Sequence, residues 1–129
     1  MYHFFVDLKG TLSEFEPRLV AALKAEGFGV ITEIDIQATL KKKLDIEKRP
    51  YKILGACNPG LANQALDFEP EIGLLLPCNV VIRECDNETV RISFMDPEAV
   101  LTLVDREEVA VLAKEVKERL LRVMESLKG

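Results

Sequence analysis

Residues 80–94 read VVIRECDNETVRISF, two stretches rich in branched residues on either side of the polar Asp86-Asn87-Glu88. In the second stretch Val90, Ile92 and Phe94 take every other position, against Arg91 and Ser93. A period of two belongs to an extended chain with one face in a core and the other in water. Residues 80–85 and 89–94 are therefore expected as an antiparallel hairpin with one wet face. A sheet built around such a hairpin is covered by helices on one side only, which predicts an α+β fold with a mostly antiparallel sheet.

Working outward, residues 28–36 (FGVITEIDI) alternate again. Phe28, Val30, Thr32, Ile34 and Ile36 are expected on a buried face, with Gly29, Ile31, Glu33 and Asp35 opposite. Residues 51–56 form a further strand, and the apolar run through Ile53, Leu54, Gly55, Ala56 and Cys57 predicts an interior place for it. Residues 2–8, ending before Gly10, are the first strand, for about five in all. Residues 72–77 are apolar and read equally as a last helical turn leading into a strand or as extended chain.

Between the strands lie helical patterns. Leu12, Phe15, Leu19, Ala22 and Leu23 recur at three- and four-residue steps, and the helix ends at Gly27. Ser13 with Glu16 fits a capping box, and Pro17 is tolerated only near a first turn, so the ordered part is expected from Ser13 or later. A short helix is predicted over residues 38–44. Asn58-Pro59 and Asp96-Pro97 each join a favoured N-cap to a favoured first helical residue, opening two more helices, the first burying Leu61, Ala62, Ala65 and Leu66. Asp105 with Glu108 is expected to cap a long last helix. Its stripe runs through Val109, Leu112, Ala113, Val116, Leu120, Val123, Met124 and Leu127, with Val111 on the opposite side.

The 129 residues suffice for one domain, expected over positions 1–129, whose core needs neither disulfide nor metal. Hydrophobic residues at 48% and charged residues at 30% exclude wholesale disorder. A net charge of −5 argues against nucleic acid, which demands an excess of Lys and Arg. The one basic run, Lys41-Lys42-Lys43 with Lys48-Arg49, is interrupted by Asp45 and Glu47 and reads as a solvated helix end. Met1 to Val6 lacks the pattern of a signal peptide, and the longest apolar runs are too short to cross a membrane. Three cysteines without framework spacing fit a reducing compartment, so a cytoplasmic location is expected.

Candidate chemistry is sparse. Cys57 immediately precedes the helix N-terminus expected at Asn58-Pro59, where unpaired N–H groups favour a thiolate or a bound anion. Cysteine is also among the most buried residue types, and an inert filler is the competing reading. Cys78-Asn79 repeats the Cys-Asn pair, and two thiols brought together would make a redox pair or part of a metal site. No C-x-x-C spacing and no second histidine beside His3 complete a zinc set, so no metal is assigned. Glu33 and Asp35 share a strand face, where carboxylates share a proton, hold a cation or are simply solvated; Lys43 is a candidate counter-charge. Phosphate-cradling glycines, a Gly-x-Ser-x-Gly elbow and a Ser-His-Asp set are all missing.

Four motifs in order carry a resemblance: Thr32-Glu33-Ile34-Asp35, Lys43-Leu44-Asp45, Tyr51 through Pro59 (YKILGACNP) and Gly73 through Val81 (GLLLPCNVV). The chain resembles, over essentially its whole length, the bacterial and archaeal family called domain of unknown function 302. The resemblance implies a compact α+β fold with a curved antiparallel sheet and no established activity. It marks Glu33, Asp35, Lys43, Cys57, Asn58, Cys78 and Asn79 as positions to inspect without giving any a role. The function expected is a non-catalytic module for a small ligand or another protein chain, with self-association through the sheet or the last helix. The alternative is thiol-dependent redox or metal handling by Cys57 and Cys78; no cofactor is identified.

Overall fold

In the computed structural model, which describes residues 1–86 and 88–129, five seven-residue strands carry the architecture. They are His3–Lys9 (β1), Gly29–Asp35 (β2), Tyr51–Cys57 (β3), Cys78–Glu84 (β4) and Thr89–Met95 (β5). All pair antiparallel in one open sheet ordered β1-β5-β4-β3-β2. The α+β expectation and the hairpin of β4 and β5 hold; of the turn between them, Asn87 lies outside the described residues.

Helices Leu12–Ala25 (α1), Ile36–Leu44 (α2), Pro59–Phe68 (α3), Pro97–Val100 (α4) and Glu107–Leu127 (α5) complete the chain. One sheet face presents Val6, Val90, Ile92, Phe94, Val80, Ile82, Leu54 and Ala56 to Leu12, Phe15, Leu19 and Leu23 of α1 and to Leu120, Val123 and Leu127 of α5. Each large side chain fully buried there contributes roughly 1.5–3 kcal/mol. A second apolar cluster joins Ala65 of α3, Ile72, Leu101 and the N-terminal half of α5 through Val109, Leu112 and Ala113. Leu61 and Ala62 of α3 are half-buried, whereas Leu66 is exposed. Helix α2 lies against the β2 and β3 end of the sheet and buries none of its residues.

The helix starts differ from the sequence reading in two places. Helix α1 begins at Leu12, with Thr11 rather than Ser13 as its cap: Thr11 Oγ1 accepts from the Glu14 N–H at 3.2 Å. The Leu12 N–H donates to Glu84 Oε2 at 2.9 Å, so a residue 72 positions away completes this helix end. Pro17 then stands inside the helix and leaves the carbonyl of the exposed Ser13 without its helical donor. Helix α5 starts at Glu107 after Arg106, which makes no side-chain cap bond, so the Asp105–Glu108 box does not form. Glu107 and Glu108 in the first turn complement the helix dipole instead.

Strand β2 corrects a larger inference. Val30 pairs with Ala56 but Thr32 with Gly55, so one extra residue, Ile31, is bulged out. An insertion of one residue reverses the facing of everything beyond it. Glu33 and Asp35 consequently share the helix-bearing face with Val30, while Thr32 and Ile34 turn to the bare one. Residues 72–77 combine both readings: a 3-10 segment at Pro70–Leu75 followed by extended chain into β4.

Candidate functional site

The two cysteine corners meet at one end of the sheet. Ala56 pairs with Cys78, which sets Cys57 beside it, and both cysteines line a cavity of about 50 Å³ with Phe28, Ala62, Leu112 and Val116. That space admits a few waters at most, well below the roughly 300–1,000 Å³ of small-molecule sites. Both thiols are free, and Cys78 is buried. Burial, reinforced by the neighbouring Cys57, pushes the Cys78 thiol up to about 11. The position therefore disfavours the nucleophilic thiolate.

Beyond the cysteines the corners are unlike. Asn58 caps α3 as the sequence predicts, its Oδ1 accepting from the Leu61 N–H at 3.1 Å. Gly27, at φ +87°, passes so close that a Cβ there would lie 2.8 Å from Asn58 Nδ2. Asn79 is exposed on the opposite sheet face from Cys78, because neighbours in a strand point to opposite sides.

The acidic pair occupies the other end of the same strands. Asp35 pairs with Lys52, whereas Cys57 pairs with Gly29. Five residues of β3, roughly 16 Å at strand rise, separate those levels. Asp35 Oδ1 caps α2 by accepting from the Ala38 N–H at 2.9 Å. Glu33 lies 2.7 Å from Lys52 Nζ, which also meets Glu16 of α1 at 2.9 Å. The bonds to Glu33 first and Glu16 second raise the Lys52 pKa. Lys43 is exposed in the last turn of α2; the counter-charge is Lys52. Its signal was present in the sequence, since Lys52 holds the same strand phase as the buried Leu54 and Ala56. The seven inspected residues thus divide among a packed corner, two caps, an ion-paired edge and exposed positions.

The largest uncommitted surface is the sheet face without helices. Pairing aligns its side chains in three rows across the strands. A charged row holds Asp7, Arg91, Arg83 and Tyr51. The central row is mainly apolar: Phe5, Ser93, Val81, Ile53 and Ile34. A third row holds His3, Met95, Asn79, Gly55 and Thr32. Phe5 is 39% and Ile34 47% exposed, and Val81 and Ile53 are half-buried. A groove of about 500 Å³ crosses the face past Tyr2, His3, Tyr51, Asn79 and Arg83.

Within the charged row, Arg91 binds Asp7 through two bonds of 2.8 and 3.0 Å and lies 3.9 Å over the Phe5 ring. The Arg91 hydrogen bond holds the Asp7 carboxyl below its ordinary value. Arg83 stands directly across from Arg91, an unfavourable like-charge pairing. His3 packs edge-on to Tyr2, and its buried Nδ1 has no hydrogen-bond partner among the described residues. Also among the described residues, no group of three or more His, Cys, Asp or Glu side chains is placed to hold a metal ion, and no helix is long and apolar enough to cross a membrane.

The family described as "Domain of unknown function DUF302" matches residues 4–127. The crystal structure of an uncharacterized conserved DUF302 protein from Bacillus stearothermophilus is similar at 29% sequence identity and a TM-score of 0.89, over 97% of each chain. No curated protein matches. The chain belongs to the DUF302 family, which brings a fold and no assigned activity.

Proposed function

We propose that this DUF302 domain is a non-catalytic, cytoplasmic binding module whose bare sheet face docks a second copy of the chain. The observation that carries the reading is the row Phe5, Val81, Ile53 and Ile34, left partly in water between two polar rows. A symmetric pair of chains needs a self-complementary patch. A twofold axis along the apolar row lays that row on its own copy and sets the charged row against the polar row of the mate. An axis along the strands instead sets Arg83 and Arg91 in a row facing a like row, which opposes docking.

Sedimentation velocity over a range of concentrations tests this. Dimer is expected for the natural chain, and Val81→Lys, which places like charges near the axis, weakens association at least tenfold. A strict monomer at high concentration, or an unaffected dimer in the variant, removes the proposal. Val111, 64% exposed on α5, is the marker for the other mode of pairing: association abolished by Val111→Lys rather than Val81→Lys moves the contact to the last helix.

A second reading, thiol-dependent redox or metal handling, draws support from the cavity that Cys57 and Cys78 share. It requires one thiol to alkylate fast at neutral pH and Cys57→Ser to abolish that reaction. Slow, equal labelling of all three cysteines only on unfolding counts against it.

A further inference from the structure

Beyond the charged row, at the end of the sheet where β3 begins and β4 ends, a cleft of about 550 Å³ opens between α2 and the hairpin. Its volume lies within the usual range of small-molecule sites. Ile36 and Leu40 of α2, with the half-buried Tyr51, give it an apolar wall. Arg83 and Lys48 stand at its polar side.

Charge decides what fits. Arg91 is neutralised by Asp7, and Arg49 pairs with Asp86. Glu84 also borders the cleft, and one of its carboxylate oxygens, Oε2, accepts from the Leu12 N–H. Among the described residues, Arg83 and Lys48 have no carboxylate within ion-pair distance. The one side-chain bond of Arg83 there is from Nη1 to Cys85 Sγ at 3.4 Å, a weak acceptor. A half-buried guanidinium facing a second arginine, with most donors unused, matches the two oxygens of a carboxylate or phosphate.

We propose that this cleft binds a small oxyanion carried on a flat apolar body, with Arg83 gripping the anion, Lys48 adding charge and Tyr51 and Leu40 covering the body. The cleft lies at the border of the sheet face, and Arg83 and Tyr51 belong both to it and to the charged row, so anion binding and docking of a second copy share these two residues. Titration of the full chain with benzoate and with phenyl phosphate, followed by backbone amide NMR, tests it and separates carboxylate from phosphate. At least one probe is expected to saturate with a millimolar Kd and to move the amides of Leu40, Tyr51 and Arg83. Arg83→Gln weakens that binding at least tenfold. Lys48→Gln, at an exposed position that does not endanger the fold, weakens it about threefold. Failure of both probes to saturate by about 50 mM, shifts centred elsewhere, or unchanged affinity in a folded variant overturns the site. Should Arg83→Gln not fold, Lys48→Gln decides alone.

Discussion

The two faces of the sheet are made by the same strands and differ in almost every physical respect. Val80, Ile82, Ile92 and Phe94 are fully buried beneath α1 and α5, whereas their chain neighbours Val81, Arg83, Arg91 and Ser93 stay partly in water. The covered face is aliphatic and aromatic at its centre, and its charged strand residues stand at the margin, where Lys52 meets Glu33 and Glu16 and Glu84 caps α1. The bare face mixes an apolar row with guanidinium, hydroxyl and amide groups. Stability is concentrated on one side, which leaves the other free to carry contacts that a folded monomer does not need.

The sharpest way to break this contrast is to truncate one phenylalanine on each side. Phe94→Ala removes a fully buried ring stacked 5.5 Å from Phe4 and is expected to cost about 3–5 kcal/mol. Phe5→Ala, on the bare face, is expected to cost only about 1 kcal/mol, chiefly its contact with Arg91. Urea unfolding measures both, and equal losses remove the distinction.

A second test uses pH at the buried end of the covered face. The folded Cys78 thiol titrates near 11 against an ordinary value of 9.0, so the folded chain keeps a proton that the unfolded chain releases. The stability is fully present below about pH 9 and declines as pH rises toward 11, by on the order of 2–3 kcal/mol. The loss of stability across that window should be smaller in Cys78→Ala than in the natural chain by this amount; equal losses assign the alkaline decline to other groups.

Smaller effects belong to the margins. Lys52→Met leaves Glu16 and Glu33 unmatched in a partly solvated setting and is expected to destabilise by about 1 kcal/mol. Equal stability at low and high salt in the variant, beside a salt-dependent natural chain, confirms the electrostatic origin. On the bare face, Val81→Lys is expected to change monomer stability by no more than about 0.5 kcal/mol while weakening association at least tenfold. A large stability loss there shows that Val81 supports the fold itself.

How far the site was legible follows from the range of each interaction. The hairpin alternation, the Asn58 and Asp96 caps and the stripe of α5 rest on residues within a few positions of one another. Glu33 and Asp35 were read on the wrong side because Ile31 bulges, and a bulge is set by pairing with β3, where the partner of Val30 is Ala56, 26 residues onward. Arg83 attracted no notice in the sequence because an arginine in a hairpin is ordinary. Only alignment with Arg91 across β4 and β5, beside a cleft walled by α2, sets it apart.

By itself the amino-acid sequence determined the strand and helix inventory, the covered face of the hairpin and the capping of α3 and α4, since periodicity and caps act locally along the chain. Tertiary structure alone decided which carboxylates meet Lys52, that Cys57 and Cys78 share a small apolar cavity while Asn79 faces away, and that Arg83 has no carboxylate within ion-pair distance among the described residues. These outcomes depend on register and on contacts between distant segments, where one inserted residue reverses a strand and no local pattern records which partner arrives.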